Sequence, residues 1–267
     1  MTKSNKIILT TLLVACVIIV AICASLNALT ISRLKGNGEI STKTMTLSNF
    51  SAISINGNID LSLTQKTPIN MTVTTDSNIL PYIEARNINQ NLIIGLKDNI
   101  DIHLAQPIQI VINTPALQGI NLNGKTVLHA SQLATSSLTV NASGNSLSYL
   151  QGDIKKLKLD LSGKSEAHIQ LAEDDSISLN MSGKSIVYLS GKVNTLKINV
   201  AGKTTVIAQD LIANQVIING VGEPDITVHA VKDLTVRMVG KSSVKYYGNP
   251  NIEKNGVGDN VLEALGN

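Results

Sequence analysis

Aromatic side chains are almost absent from this chain of 267 residues, which has one Phe, five Tyr and no Trp. Globular enzymes commonly use such bulky rings to fill irregular cores. Hydrophobic residues nevertheless make up 43% of the sequence, and most of them are Leu, Ile, Val and Ala. A core of small and branched aliphatic side chains is typical of a regular, layered interior.

Cysteine is restricted to Cys16 and Cys23, both within an apolar run near the N-terminus. The remainder of the chain therefore contains neither a disulfide framework nor a thiolate metal site. The formal net charge is only +3, and the lysines are scattered along the sequence. No basic segment indicates a nucleic-acid partner, and we interpret the lysines as a solvated surface.

Residues 7–29 form a run without charged side chains that follows two lysines. Such a run is long enough to cross about 30 Å of hydrocarbon as a helix. We expect it to be an uncleaved membrane anchor that holds the rest of the chain outside the cytoplasm, in the periplasm or at the cell surface. Two alternatives stay open: a signal peptide cleaved near Ala24 or Ala28, and lipidation of Cys16.

A repeat dominates the C-terminal half of the chain. Seven glycines recur at spacings of 20, 19, 20, 19, 20 and 18 residues, each within a phrase such as NLNGKT, DLSGKS or NVAGKT: Gly124, Gly144, Gly163, Gly183, Gly202, Gly222 and Gly240. Self-similarity at a nearly fixed period is typical of a solenoid, in which each repeat buries its apolar face against its neighbours.

Each repeat reads as two short strands that meet at the glycine. Leu157, Leu159 and Leu161 alternate with polar residues before Gly163, which is the period of a strand with one buried face. The glycine suits a corner that needs a positive φ or close stacking. We predict an all-β fold, a right-handed, single-stranded parallel β-helix with rungs of 19–20 residues, preceded by the N-terminal transmembrane or signal helix.

Residues 45–115 alternate in the same way but less regularly. We interpret them as opening rungs and a cap that covers the first edge of the same solenoid. The predicted organisation is therefore an N-terminal anchor or signal segment at residues 1–29, a linker at 30–44, a β-helical domain at 45–258 and a C-terminal tail at 259–267.

A literal G-x-x-x-x-G-K-[ST] match spans residues 119–126. A P-loop needs a flexible glycine-rich loop whose amides wrap phosphate, and a helix after it. Here the intervening residues alternate as a strand, and Val127 and Leu128 continue it. We predict no nucleotide binding.

The carboxylates indicate no catalytic groove. Glu173, Asp174 and Asp175 form a triplet that we interpret as a solvated turn, with a calcium site as the weaker alternative. Apart from Arg33, Arg86 and Arg237 are the only arginines, so an acid cluster with a basic partner, as polysaccharide lyases use, is not evident. We predict a protein that is not an enzyme and has no cofactor or metal.

Two polar columns follow from the repeat. One is predicted to form a hydrogen-bonded ladder: Asn141, Asp160, Asn180, Asn199 and Asn219. The other lies five residues after successive glycines and faces outward by parity: His129, Tyr149, His168 and Tyr188. The two histidines lie two rungs, or about 9.6 Å, apart, which is too far for one metal ion. Stacked side chains on a sheet face are the simpler interpretation, and a contact stripe for glycan or protein is the functional one.

The sequence resembles the bacterial family of auto-transporter adhesin head domains, also called GIN domains, over roughly residues 45–258. The motifs that carry the resemblance are Phe50-x-x-Ile53-x-Ile55-x-Gly57, Asn78-Ile79-Leu80-Pro81-Tyr82-Ile83, Thr114-Pro115-x-Leu117, the SGKS phrases and Tyr247-Gly248-Asn249-Pro250. The resemblance implies a β-helical fold and a secreted or envelope-bound protein, and it provides no catalytic residues.

We therefore expect a non-enzymatic cell-envelope protein that presents a β-helical surface for adhesion or for binding of envelope glycan or protein. It would contact the membrane through residues 7–29 and would bind neither nucleic acid nor nucleotide. Two alternatives stay open: an envelope scaffold that self-associates by stacking rungs end to end, and a polysaccharide-acting β-helix enzyme.

Overall fold

A computed structural model describes residues 32–97, 100–104 and 106–266 of the chain. This part contains twenty strands, one 3-10 turn at Leu80–Tyr82 and no α-helix. The first ten strands are β1 (Ser32–Lys35), β2 (Ile40–Thr46), β3 (Ala52–Thr64), β4 (Asn70–Asp76), β5 (Ile83–Ile88), β6 (Asn91–Leu96), β7 (Ile100–His103), β8 (Ile108–Asn113), β9 (Gly119–Thr135) and β10 (Leu138–Ala142). The last ten are β11 (Leu147–Ile154), β12 (Lys156–Leu161), β13 (Glu166–Leu171), β14 (Asp174–Gly183), β15 (Ile186–Gly202), β16 (Thr205–Gly222), β17 (Asp225–Gly240), β18 (Ser242–Tyr247), β19 (Asn251–Val257) and β20 (Asn260–Ala264).

The predicted membrane anchor or signal helix, residues 1–29, lies outside the described residues. Among the residues that are described, no helix is long and apolar enough to span a bilayer.

Parallel pairing between successive repeats builds the fold. Val140 of β10 pairs with Leu159 of β12, Leu159 pairs with Leu179 of β14, and Leu179 pairs with Ile198 of β15. The strands that follow each glycine stack in the same way on a second face. The result is a parallel β-solenoid of about seven turns, which confirms the predicted architecture. Its right-handed sense stays a prediction.

The glycines of the repeat lie directly on top of one another. Gly163 has a φ of +76°, and a Cβ added to it would lie 2.8 Å from the carbonyl oxygen of Gly144. That same oxygen accepts a 2.8 Å hydrogen bond from the Lys164 amide. The column also continues beyond the seven predicted members, to Gly57 at one end and Gly258 at the other.

A single apolar core runs through the stack, from Phe50 to Val244. Leu157, Leu159 and Leu161 are all buried, as their alternation predicts. Regular stacking places like residues in columns, so aliphatic side chains fill the interior and Phe50 is its only buried ring in the described part of the chain.

The hydroxyl residues that lie two positions after the column glycines are buried at the corner. Ser146, Ser165 and Ser185 point inward two residues after their glycines, and each hydroxyl donates to the carbonyl of the residue before the glycine. The oxygen–oxygen distances are 2.8, 2.7 and 2.9 Å. Each hydroxyl therefore has a backbone hydrogen-bond partner at the turn.

The N-terminal part of the solenoid is less regular than the repeats. β3 pairs along its whole length with β9, with Gly57 opposite Gly124, and its other edge pairs in parallel with β6 and β8. The intervening strands include three antiparallel pairs, β2 with β4, β4 with β8 and β5 with β6. That residues 45–115 contain opening rungs and a cap stays a prediction. Separately, β1 and β7 form a two-stranded parallel sheet.

Two boundaries differ from those predicted. The segment predicted as a linker, residues 30–44, contains β1 and most of β2, because Ile40–Thr46 pairs with the full length of β4. The segment predicted as a C-terminal tail, residues 259–267, contains β20, which pairs with β18. Neither segment carries the glycine phrase, so the repeat alone did not reveal these strands.

Candidate functional site

The four residues of the predicted contact stripe stack on one another, and we call them the His–Tyr ladder. Tyr149 pairs in register with His129 on one side and with His168 on the other, and His168 pairs with Tyr188. The ring centroids are 4.9, 5.0 and 4.4 Å apart in chain order, and the planes are tilted by 5°, 20° and 9°. The structure therefore brings all four predicted side chains together.

Strand parity explains why these side chains face solvent. Ser148 and Leu150, the neighbours of Tyr149, are buried, so Tyr149 points to the opposite face of the sheet. The outward position five residues after each glycine then repeats one turn later, about 4.8 Å away. This spacing is close to the separation of offset-stacked rings, so the backbone sets the geometry of the stack.

Stacking determines which part of each ring a ligand can reach. Both faces of Tyr149 and of His168 are covered by neighbouring rings. The exposed parts are therefore the ring edges, with their nitrogens and hydroxyls, rather than the ring faces. Ring edges carry partial positive charge and prefer electron-rich atoms such as oxygen. The ladder is suited to contacting oxygen atoms, and its inner rings cannot stack on a sugar or a base.

The histidines and tyrosines have different neighbours. Nε2 of His168 lies 2.6 Å from Oε1 of Glu166, and Nε2 of His129 lies 4.0 Å from Oδ1 of Asp60. Neither tyrosine hydroxyl bonds to the described part of the chain. The ladder thus presents two free phenol groups that alternate with two imidazoles held near carboxylates.

An open groove of about 610 Å³ runs beside the ladder. Ser131, Gln151, Gln170 and Ser190 line it two residues beyond the rings, and Ile207 and Asp210 lie at its far end. The sequence interpretation missed this polar row, although the same parity that identified the rings identifies it. Amides and hydroxyls beside a line of ring edges form a surface rich in hydrogen-bonding groups.

The two histidines of the ladder are not placed to share one metal ion. The ring of Tyr149 lies between His129 and His168, as the predicted two-rung separation requires. Within residues 32–97, 100–104 and 106–266, no group of three or more His, Cys, Asp or Glu side chains is placed to hold a metal ion.

The predicted asparagine column forms a hydrogen-bonded ladder on the other face in two segments, which separate between Asn141 and Asp160. Asn219 donates to Asn199, Asn199 to Asn180 and Asn180 to Asp160, over 3.1, 2.9 and 2.5 Å. Asn141 donates in the same way to Asn121, which the sequence interpretation did not include. The amides bond along the column to one another, which indicates a structural role.

The acidic triplet is not the solvated turn that was predicted. Asp174 begins β14 and is only 4% exposed, whereas Glu173 and Asp175 on either side are exposed. Its Oδ1 accepts a 3.1 Å hydrogen bond from the Ile154 amide, and its Oδ2 has no protein partner. Burial of the carboxyl raises the pKa of Asp174 to about 6, although the Ile154 hydrogen bond acts in the opposite direction.

Lysines that are scattered along the sequence lie in one row at the glycine corner. Each exposed member directly follows a column glycine: Lys125, Lys164, Lys184, Lys203 and Lys241. Asn145 and Glu223 interrupt the row. The row is further evidence that the G-K-[ST] phrase is a corner motif, and residues 119–126 lie within β9 rather than in a phosphate-binding loop.

Comparison with known proteins identifies the family. The sequence profile that matches residues 49–250 is that of the family described as "Putative auto-transporter adhesin, head GIN domain". No curated protein sequence matches the chain.

Solved structures of Parabacteroides proteins share the fold. A protein of Parabacteroides merdae described as a putative adhesin is 23% identical with a TM-score of 0.82, and the match covers 88% of this chain and 99% of that one. A Parabacteroides distasonis protein described as a putative adhesin is 22% identical with a TM-score of 0.79, with 88% and 100% covered. Another protein of that species, described as a putative lipid binding protein, is 23% identical with a TM-score of 0.77, again with 88% and 100% covered. At these identities the similarity establishes the fold alone. Because the family profile spans most of the sequence, the chain belongs to the family of auto-transporter adhesin head GIN domains.

Proposed function

We propose that this protein is a non-enzymatic envelope protein that binds an extended, hydroxyl-rich chain, an envelope glycan, along the His–Tyr ladder and its groove. The observation that carries the proposal is the exposed, stacked ladder with its line of free ring edges. A ligand that lies parallel to the solenoid axis would meet an equivalent contact at every turn, about every 4.8 Å.

The chemistry of the groove supports a glycan over a protein partner. Gln151 and Gln170 offer amide donors and acceptors beside the rings, and Ser131 and Ser190 offer hydroxyls. Protein contact surfaces depend on apolar anchors that insert into pockets. Here the groove is open, and the ring faces that would provide such anchors are covered by one another.

The proposal places the solenoid outside the cytoplasm, in agreement with a family named for adhesins. Residues 7–29 would anchor it to the membrane as an uncleaved helix, so that the ladder is held near the cell envelope. Expression of the full chain with a C-terminal tag, followed by membrane fractionation and protease treatment of intact cells, tests this placement. Recovery of a protected, soluble protein would contradict it.

One observation disfavours the alternative of end-to-end self-assembly. In the last described turn, Lys254 of β19 takes the position opposite buried Val236. Its ammonium group donates to the Asn260 carbonyl oxygen over 2.9 Å. A lysine that continues an apolar column opposes the stacking of a further rung, because its charge would be buried there.

The binding test uses a variant that lacks the two tyrosine hydroxyls but keeps the stacked rings. A Tyr149→Phe/Tyr188→Phe variant retains all four rings but loses both free hydroxyls. If the hydroxyls bind ligand, affinity for glycans selected by the wild-type chain on a glycan array should fall about tenfold or more, since each lost hydrogen bond is worth about 1 kcal/mol. Isothermal titration with the selected soluble glycans measures this change.

The matched control is Tyr246→Phe/Tyr247→Phe, which removes two hydroxyls outside the ladder. This variant should bind the selected glycans as the wild-type chain does. Equal affinity of the ladder variant and the wild-type chain would reject the ladder as the contact surface. Absence of binding to any glycan on the array would reject the proposed ligand class.

A further inference from the structure

An exposed apolar row lies along one edge of the glycine corner in the last four turns. Its members directly precede column glycines and pair in register: Ala201, Val221, Val239 and Val257. The three valines are 59%, 49% and 71% exposed. In earlier turns the same position holds Ser143, Ser162 and Ser182, so the apolar character is confined to this end of the corner.

A row of charges with alternating sign runs beside the valines, on the other side of the glycines. It consists of Lys203, Glu223, Lys241 and Asp259, each of which directly follows a column glycine and is exposed. None of these four side chains forms an ion pair with a residue in the described part of the chain. Both the apolar row and the charged row are therefore available to a partner.

The order of the charges makes this edge complementary to itself in one orientation only. When two copies face each other about a two-fold axis that lies in the contact plane and across the solenoids, the valine rows meet and the charge rows meet in reverse order. Positive then faces negative at all four positions. If the two-fold axis runs along the solenoids instead, each valine row faces a charge row.

We propose that two copies of this chain associate side by side through this edge, with their solenoids antiparallel. Val221 packs against the partner's Val239, Lys203 pairs with the partner's Asp259, and Glu223 pairs with the partner's Lys241. Two-fold symmetry repeats every contact. The proposal is independent of the His–Tyr ladder, which lies on another row and on earlier turns.

The contact is small, so the association is weak and depends on concentration. Four turns extend over about 14 Å between the first and last glycine, and the edge is two side chains wide. Such an area is below that of standard stable interfaces. Charge pairs at the rim of a small contact determine orientation and partner choice more than affinity.

The test uses charge reversal in the full chain, kept in detergent and examined by sedimentation equilibrium over a wide concentration range. The wild-type chain should show a monomer–dimer equilibrium. Lys203→Glu places like charges together twice in each dimer and should weaken association about tenfold or more. Asp259→Lys should do the same. The matched control is Lys164→Glu, which reverses an equivalent corner lysine outside the valine row and should leave association unchanged.

The decisive result comes from a mixture of the two variants. Lys203→Glu on one chain faces Asp259→Lys on the other, and the second symmetric contact keeps its native pair. Heterodimers should therefore form with wild-type affinity, as should dimers of the double variant. Circular dichroism verifies that each variant is folded. A wild-type chain that stays monomeric, or a mixture that fails to associate, would overturn the proposal.

Discussion

At the scale of single residues, the glycine corner combines two separate constraints. Gly163 needs a positive φ, and it also leaves no room for a Cβ above Gly144. Gly38 has a nearly identical φ of +80°, but a Cβ added there would have nothing within 4 Å. Substitutions at Gly38 and Gly163 therefore separate the cost of backbone strain from the cost of close stacking.

We therefore expect Gly38→Ala to lower the free energy of unfolding by about 1–2 kcal/mol, the cost of a left-handed conformation for an L-residue. Gly163→Ala should cost about 1–3 kcal/mol more, because the added methyl group forces neighbouring turns apart. Urea unfolding measures both values. Equal losses would show that stacking does not restrict the glycine column.

Asp174 makes stability depend on pH. The pKa of its carboxyl is raised to about 6 by burial in the folded chain, whereas an unfolded Asp titrates near about 3.9. The unfolded chain therefore loses this proton first, and stability falls as the pH rises between about 4 and 6. Asp174→Asn removes the cost of burying the ionised carboxylate. The variant should be more stable than the wild-type chain by about 1–3 kcal/mol at neutral pH and nearly equal to it near about pH 4.

The control for Asp174 is its exposed neighbour. Asp175→Asn removes the same charge one residue away and should change the free energy of unfolding by less than about 0.5 kcal/mol at either pH. Urea unfolding at both pH values provides the comparison. A gain for Asp174→Asn that is the same at both pH values would contradict the assignment of the raised pKa.

At the scale of elements, the asparagine ladder joins strands that are already paired through their backbones. Asn199 both donates to Asn180 and accepts from Asn219, so its removal leaves two partly buried amides with unpaired atoms. Asn214 donates to Asn194 in an exposed pair elsewhere on the solenoid. The two positions have the same chemistry and different burial.

Asn199→Ala should lower the free energy of unfolding by about 1–3 kcal/mol, because it breaks two hydrogen bonds and leaves partly buried amide atoms without partners. Asn214→Ala should change it by less than about 0.5 kcal/mol, because water replaces the lost bond. Thermal and urea unfolding measure both. A similar small change for both variants would show that the ladder accompanies the fold without stabilising it.

At the scale of the whole molecule, the register of the turns makes one complete turn a removable unit. Gly163 and Gly183 occupy equivalent positions 20 residues apart. Deletion of residues 164–183 joins Gly163 directly to Lys184 and leaves every remaining strand opposite an equivalent partner. The chain should fold with the same circular dichroism and a smaller urea m-value, because it buries less surface.

Deletion of half a turn tests the same geometry from the other direction. Removal of residues 164–173 joins Gly163 to the strand of the other face, so the corner glycines of later turns no longer lie over those of earlier turns. This variant should not fold. A folded half-turn variant, or an unfolded full-turn variant, would contradict the assigned register.

Side-by-side pairing and glycan binding would act together on a cell surface. The His–Tyr ladder lies on earlier turns than the exposed row that contains Val221, Val239 and Val257. An antiparallel dimer formed through that row therefore leaves both ladders open. Two ladders on one dimer would raise the effective affinity for a polymeric glycan without any new contact.

The sequence alone determined the repeat, the strand pattern and the outward position of the ladder. Glycine at a period of 18 to 20 residues and the alternation of Leu157, Leu159 and Leu161 are local signals. They predict a solenoid because a rung cannot bury its apolar face alone. The parity of the strands is enough to place His129 and Tyr149 on one outer row.

Only the tertiary structure decided what depends on the contact between turns. It covers the faces of the rings in the ladder, buries Asp174 between exposed acids, and places Val221 beside Val239 on an open edge. It also adds β2 and β20 to the stack although they lack the glycine phrase. Burial, stacking and charge complementarity arise between residues far apart in the chain, so no local pattern contains them.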